Sequence, residues 1–203
     1  MEGTDSDSLD SSPDEGEEIY AVVLDYFPHG HPDDSRPQFE KSPVAQAIGE
    51  DRFRLFEFTL TEDPDLNITD RIRIEPEQDE RISRIREIEY DDLSSSATSE
   101  LEYAVEELID RNERRFVDFY NDAQPITLRL HQLNLLPGVG KKIRNTILDE
   151  RKRGPFESFE EITERVSGLH SPKEVIIDRI IEELREEDLK YKTFVRREDG
   201  GSE

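Results

Sequence analysis

The sequence predicts an α+β protein in which a small N-terminal β-barrel precedes an all-helical region and a short C-terminal strand. Two observations support this fold class. Short segments rich in β-branched and aromatic residues follow one another between residues 19 and 90, and an apolar helical period begins only near residue 97. Strands that are grouped ahead of helices, instead of alternating with them, are typical of α+β folds.

The first predicted strand, residues 19–24, is apolar on both faces, as a strand in the middle of a sheet would be. A proline-rich loop follows, and the next segment, residues 43–48, is predicted to be helical. Further strands are predicted at residues 53–60, 71–74 and 81–90. Several short strands in succession favour a closed barrel, and an oligonucleotide/oligosaccharide-binding (OB) barrel is the preferred form.

Helices are predicted from the apolar period and from capping residues. Five apolar residues spaced as one helical stripe follow Ser99, which with Glu102 predicts a capping box; the stripe consists of Leu101, Ala104, Val105, Leu108 and Ile109. A second capping box is predicted at Ser158 and Glu161. A third is predicted at Ser171 and Glu174, with Pro172 at the first helical position.

The most informative segment is Leu-Pro-Gly-Val-Gly-Lys-Lys at residues 136–142. The sequence predicts a helix at 125–135, a tight turn at 136–140 and a second helix at 141–151. Gly138 and Gly140 permit backbone conformations that a side chain would hinder, and the helix that follows directs unpaired N–H groups toward the same point. Such an arrangement, with two adjacent lysines, suits a phosphate group.

This segment resembles the hairpin of the helix-hairpin-helix family, which binds nucleic-acid backbones without reading sequence. The segment 166–170 resembles a second, degenerate copy, in which His170 replaces the second glycine, and it is predicted to be structural. The resemblance implies a non-catalytic protein that binds RNA, or with slightly less preference DNA. The binding residues that it implies are Pro137, Gly138, Val139, Gly140, Lys141, Lys142 and Arg144. It also implies that K⁺ or Na⁺ could bind the backbone carbonyls of Asn134, Leu136 and Val139; no other cofactor is expected.

Charge supports this placement of the site. The whole chain carries a net charge of -24, with 51 acidic and 27 basic residues. Between residues 125 and 155, however, seven residues are basic and two are acidic. A basic region within so acidic a chain indicates where a polyanion would bind.

The overall acidity resembles that of proteins from salt-loving archaea, in whose concentrated cytoplasm the Debye length is only about 3 Å. The chain has no Cys, so disulfides and cysteine-ligated metals are excluded. It has neither a long apolar run nor a signal-peptide pattern, so we expect a cytoplasmic protein without membrane contact. The absence of a long apolar heptad pattern favours a monomer.

The chain as a whole is similar to an archaeal family of predicted nucleic-acid-binding proteins that combine an OB-like barrel with a helix-hairpin-helix region. The similarity rests on residues 30–32 (Gly-His-Pro), 43–49 and the hairpin. It covers residues 17–196. Composition and patterning divide the chain into a disordered acidic tail (1–16), the barrel (17–90), connecting helices (91–124), the hairpin region (125–187) and a C-terminal part (188–203) with a short strand at 191–195 and an acidic end.

Other functions stay open. Four arginines alternate with apolar residues in the barrel and could extend a nucleic-acid surface, namely Arg52, Arg54, Arg71 and Arg73. Phe53, Phe56 and Phe58 could stack on bases, although a place in the core is the preferred interpretation. A role as a scaffold that contacts ribosomal or transcription-machinery proteins is the main alternative.

Two further possibilities are weaker. The hairpin also resembles that of DNA glycosylases, in which Lys142 would be the nucleophile and Glu160 would stand where those enzymes carry an aspartate. A metal site at His29, His31, Asp33 and Asp34 is less favoured than a proline-rich surface turn, and His131 is expected to be structural.

Overall fold

A computed structural model describes residues 18–32, 34–61 and 64–196, which form a curled five-strand antiparallel half-barrel and five α-helices. The predicted α+β class is therefore confirmed. The strands are β1 (Ile19–Phe27), β2 (Val44–Gly49), β3 (Leu55–Leu60), β4 (Arg71–Glu75) and β5 (Ile82–Ile88). The helices are α1 (Ser95–Arg111), α2 (Glu113–Asp122), α3 (Lys141–Arg153), α4 (Phe159–Arg165) and α5 (Pro172–Arg185). Single 3₁₀ turns lie at Gln38–Glu40, Tyr90–Asp92 and Gln132–Leu135, and the predicted acidic tail lies outside the described residues.

The sheet has the strand order β4-β1-β2-β3-β5, and every neighbouring pair is antiparallel. β1 pairs with β4 through only its first four residues, Ile19–Val22, and with β2 along most of its length. Within the described part of the chain β4 and β5 are the two edges, so the strands stop short of the closed barrel that the sequence predicts. Closure would need a ladder between β4 and β5.

The segment 43–48, predicted to be helical, is instead β2, so that prediction is wrong. β2 lies between β1 and β3 with its alanines fully buried, and its Gln46 side chain is also fully buried. The Gln46 amide donates to the Asp92 carbonyl at 2.9 Å and its oxygen accepts from the Ser94 N–H at 2.8 Å. Pairing on both sides outweighs the helical propensity of alanine.

The two faces of the sheet contribute to different hydrophobic cores. One face forms a core of its own, with Phe56, Phe58 and Ile72 among its residues. The opposite face packs on the helices, and Phe53 and Leu55 belong to this larger core. Because both faces are covered, β1 is apolar on both sides, as the sequence predicts.

The helical stripe of α1 is confirmed, since all five of its predicted residues are buried. The predicted capping box at Ser99 is wrong: Ser94 caps α1 by accepting a bond from the Ala97 N–H, and Ser99 lies inside the helix. Ser158 caps α4 as predicted, accepting from the Glu161 N–H at 3.1 Å, but the Glu161 carboxylate accepts from the Glu157 N–H at 2.7 Å, so the predicted box is only half formed. Ser171 precedes α5 with Pro172 in its first turn but makes no side-chain cap bond, so the capping box predicted there is wrong.

The predicted helix at 125–135 is also wrong. The N–H groups of Ile126 and Thr127 both donate to the Leu130 carbonyl, which closes a tight turn. The Thr127 hydroxyl accepts from the Arg129 and Leu130 N–H groups and so competes with helical hydrogen bonding. Only residues Gln132–Leu135 are helical, as one 3₁₀ turn.

The predicted C-terminal strand at 191–195 is not formed. The N–H groups of Thr193, Phe194 and Val195 donate to the fully buried Glu183 carboxylate at 2.7–2.9 Å instead of to a neighbouring strand. Arg179 neutralises that carboxylate at 2.8 Å. This segment is therefore held by a side chain of α5.

Candidate nucleic-acid interface

The backbone of residues 136–139 forms a tight turn. The Val139 N–H donates to the Leu136 carbonyl at 3.1 Å, with Pro137 and Gly138 between them. Gly138 has φ +75°, and these residues match a type II turn, which needs a positive φ at its third position. Leu136 and Val139 are buried and fix the turn to the core, whereas Gly138 is exposed.

The Gly140 amide is not free for a ligand. The Gly140 N–H donates to the Gly138 carbonyl at 3.2 Å, so it is engaged within the turn. Gly140 is the N-cap of α3 and offers no side-chain acceptor. The N–H groups of Lys141, Lys142 and Ile143 therefore have no intrahelical partner, and they lie at the positive end of the helix dipole.

The basic side chains around the turn differ in how firmly other residues hold them. Lys141 and Lys142 are exposed and form no ion pair with any carboxylate of the described residues. Arg144 is held: it donates to the Asn134 side-chain oxygen at 3.0 Å and to that of Asn145 at 3.0 Å. The two lysines can therefore follow a ligand, while Arg144 keeps a fixed position beside the turn.

The surface beside the turn is open. A Cβ placed on Gly138 or Gly140 would meet no atom within 4 Å. An open depression adjoins the turn, and its far side is formed by Arg179 and Glu182. A ligand can thus approach the main chain closely, with one carboxylate at the rim.

Two of the three carbonyls predicted to hold a monovalent cation already have partners. The Leu136 carbonyl accepts the turn bond, and the Val139 carbonyl accepts from the Asn134 side-chain amide at 3.1 Å. A carbonyl has two lone pairs, so a cation would have to share these oxygens.

The four barrel arginines do not form one surface. Arg54 is 6 % exposed and lies over the Phe56 ring near Glu75 and Glu87, so its predicted role on the surface is wrong. Arg71 makes two bonds of 2.7 and 2.8 Å to Glu50, and Arg73 pairs with Glu18 at 3.3 Å. Arg52 is half exposed beside Asp51. The three phenylalanines are buried, which confirms their place in the cores.

The histidines lie apart from the hairpin turn, except His131. The His31 ring packs at a tilt against Phe27, with ring centres 5.1 Å apart, and lies 3.9 Å from Glu57. His29 is exposed, and Asp33 lies outside the described residues, among which no cluster of three or more metal-ligating side chains occurs. His131 is buried, as expected of a structural residue, and its Nδ1 accepts from the Leu133 N–H at 3.1 Å.

Two residues of the glycosylase alternative can be placed. Lys142 begins α3 and Glu160 lies in the first turn of α4, and both side chains are exposed. The helix start that the sequence predicts at Ser158 is thus confirmed.

No helix of the described ranges combines the length and apolarity that a bilayer crossing would require.

Fold and turn together define an α+β protein in which a curled antiparallel sheet supports a helical region with an open, basic glycine turn. The chain belongs to the family described as "Protein of unknown function (DUF655)", whose sequence model matches residues 17–196. It is 39% identical over 181 residues to "Uncharacterized protein MJ0038" of Methanocaldococcus jannaschii, covering 88% of this chain and 80% of that protein. The crystal structure of Af1531 from Archaeoglobus fulgidus superimposes with a TM-score of 0.81 at 44% identity, over 88% of this chain and 100% of that one. The family is thus archaeal, as the sequence resemblance indicates.

Proposed function

We propose that this chain is a non-catalytic nucleic-acid-binding protein, with RNA preferred over DNA, that grips phosphates through residues 136–142. The observation that carries the proposal is the open glycine turn with three free amides and two unpaired lysines. Main-chain N–H groups and mobile ammonium groups bind phosphate oxygens without distinguishing bases. Specificity would then come from the shape of the nucleic acid or from single-strandedness.

The proposal also includes an OB-like barrel and a helix-hairpin-helix motif as the two parts of the fold. The five-strand sheet is interpreted as an OB-like barrel that remains open between β4 and β5. Residues 132–153 are interpreted as a shortened helix-hairpin-helix motif whose first helix is one 3₁₀ turn. The excess of acidic residues, 51 against 27 basic ones, supports a haloarchaeal cytoplasm as the setting.

The direct test is fluorescence anisotropy with labelled single-stranded RNA, single-stranded DNA and duplexes of matched sequence. The double variant Lys141→Glu/Lys142→Glu should weaken RNA binding by about 100-fold at low salt, because two phosphate contacts become repulsive. The matched control, Arg84→Glu/Lys190→Glu, makes the same charge change at two exposed sites away from the turn. Equal losses in the two variants would show that only net charge matters, and no binding by the unmodified chain would contradict the proposal.

One observation favours the alternative role as a protein scaffold. Leu128 is fully exposed on the braced turn that precedes the hairpin, with Arg129 beside it. An exposed leucine on a rigid turn is suited to an apolar pocket of a protein partner. If this role holds, Leu128→Ser should abolish capture of a protein partner while leaving RNA anisotropy unchanged.

A further inference from the structure

A cleft of about 740 Å³ lies between the start of β1, the β2–β3 turn, α2 and the C-terminal segment. It is separate from the hairpin turn, which contributes none of its lining residues. Three arginines that are far apart in the sequence reach it, namely Arg52, Arg115 and Arg196. Of the three, only Arg52 stands in a pattern that the sequence makes visible.

Arg115 is the most unusual of the three. Its guanidinium carbon lies 5.1 Å from the ring centre of Phe116 and 5.7 Å from that of Phe53. Its single polar contact is a long one, 3.5 Å, to the Glu50 carbonyl, and it pairs with no carboxylate of the described residues. The residue remains exposed along part of its length, yet burial of the guanidinium lowers its pKa; the nearby Asp51 carboxylate raises that pKa and Arg196 lowers it. A desolvated cation near a second cation is stabilised by an anion.

The main chain holds Arg52 and Arg196 together. The Arg196 N–H donates to the Arg52 carbonyl at 3.2 Å, which joins the C-terminal segment to the β2–β3 turn. Phe53, fully buried beside Arg52, has φ +54°, a conformation that is strained for a bulky residue. Strain of this kind is concentrated at functional sites, where surrounding contacts maintain it.

The acidic residues of the cleft are mostly neutralised by other partners. Glu18 pairs with Arg73 at 3.3 Å, and Asp118 with Arg114 at 3.0 Å. Glu50 likewise pairs with Arg71. Two acids of the cleft remain: Asp51, which contacts Arg52 at 3.4 Å, and Asp122 at the end of α2. Three guanidinium groups thus face two carboxylates, which leaves a local positive excess in a chain of net charge -24.

We propose that this cleft binds a phosphate group through Arg52, Arg115 and Arg196. A guanidinium presents paired N–H donors that match two phosphate oxygens. The volume also admits a group larger than phosphate itself, because small-molecule sites are commonly 300–1,000 Å³ in size. The phosphate can therefore belong to a free nucleotide or to the end of a nucleic-acid strand.

The test titrates the full chain with inorganic phosphate at constant ionic strength and follows the arginine Nε–Hε signals by NMR. Saturable shifts are expected for the three cleft arginines, and Arg115→Gln and Arg196→Gln should each weaken phosphate binding at least tenfold. Arg84→Gln, an exposed arginine on β5, is the matched control and should bind phosphate unchanged. The proposal is overturned if the shifts do not saturate, or if all three variants behave alike.

Two additions complete the design. Arg196 is exposed, so Arg196→Gln gives a folded variant even if loss of Arg115 disturbs the adjacent core. The titration is repeated in the Lys141→Glu/Lys142→Glu chain, where the cleft should still bind phosphate, so failure of the hairpin proposal and failure of this one are distinguishable.

A 5′-phosphorylated RNA oligonucleotide, its 5′-hydroxyl counterpart and adenosine monophosphate then identify the molecule to which the phosphate belongs. Tighter binding of the phosphorylated strand than of the nucleotide indicates a strand end, and the reverse indicates a free nucleotide.

Discussion

The two glycine turns, at residues 136–140 and 166–170, share a backbone but differ in what surrounds them. Gly138 and Gly168 have φ +75° and +91°, and each lies in a turn closed by the same bond, Val139 N–H to Leu136 at 3.1 Å and Leu169 N–H to Val166 at 3.2 Å. The first turn is open. In the second, a Cβ on Gly168 would lie 3.6 Å from Ile143 of α3, so the second turn packs against the helix that follows the first.

The helices after the two turns differ in the same way. α3 has one fully buried residue, Ile147, and carries the two unpaired lysines. α5 is largely buried, and its Lys173 is bound by Glu106 at 2.9 Å and Asp110 at 3.1 Å. The same backbone turn is therefore open in one place and packed against the protein in the other. The proposed binding role rests on the open turn, and the packing of the second turn is what a structural role requires.

The largest effect is expected at Glu183, a fully buried carboxylate of α5; α3 carries no buried charged residue. Glu183→Gln should destabilise the protein by about 3–5 kcal/mol, because Arg179 loses its buried partner and an amide NH₂ group would face backbone donors. Urea denaturation measures the change. Glu182→Gln, the half-exposed neighbour, should cost under about 1 kcal/mol. Similar losses for both would contradict the structural role assigned to α5.

A second test loosens the start of α5, directly after the second turn. The Tyr120 hydroxyl donates to the Pro172 carbonyl at 2.8 Å in the buried interior, and burial raises the pKa of this tyrosine. Tyr120→Phe leaves that carbonyl unpaired and should cost about 1–3 kcal/mol of unfolding free energy. RNA affinity at a temperature where the variant is folded should not change. A tenfold loss of affinity would mean that the second turn takes part in binding.

Matched glycine substitutions compare the turns directly. Gly138→Ala and Gly168→Ala should each cost about 1–2 kcal/mol, because alanine is disfavoured at positive φ. Only Gly138→Ala should also weaken RNA binding, since its methyl group projects from the open surface. Thermal denaturation and anisotropy on the same samples separate the two effects. Equal effects on binding would remove the functional distinction between the turns.

The smallest expected effect is a pH dependence of the unfolding free energy that arises from His131, a few residues before the first turn. Burial, with the nearby charges of Arg151 and Arg144, lowers the pKa of His131 below its ordinary value. The folded state therefore binds this proton less readily than the unfolded state, and its contribution to stability is lost as the pH falls below the ordinary histidine pKa of 6.5. His131→Asn keeps an acceptor for the Leu133 N–H and should flatten this part of the stability profile. A profile that is unchanged in the variant would assign the titration to another group.

Local sequence determined those features that depend on neighbouring residues. The stripe of α1, the cap at Ser158 and the positive φ of the predicted glycine turn follow from spacing and from the stereochemistry of single residues. The fold class follows as well, because strands and helices are grouped along the chain.

Tertiary structure alone decided the rest. Residues 44–49 are a strand because β1 and β3 pair with them, and residues 191–195 are held by Glu183 because α5 places that carboxylate beneath them. Arg54 looks like Arg52 in the sequence, yet one is buried and the other reaches a cleft with Arg115 and Arg196. Such outcomes depend on contacts between residues far apart in the chain, and local periodicity contains no information about those contacts.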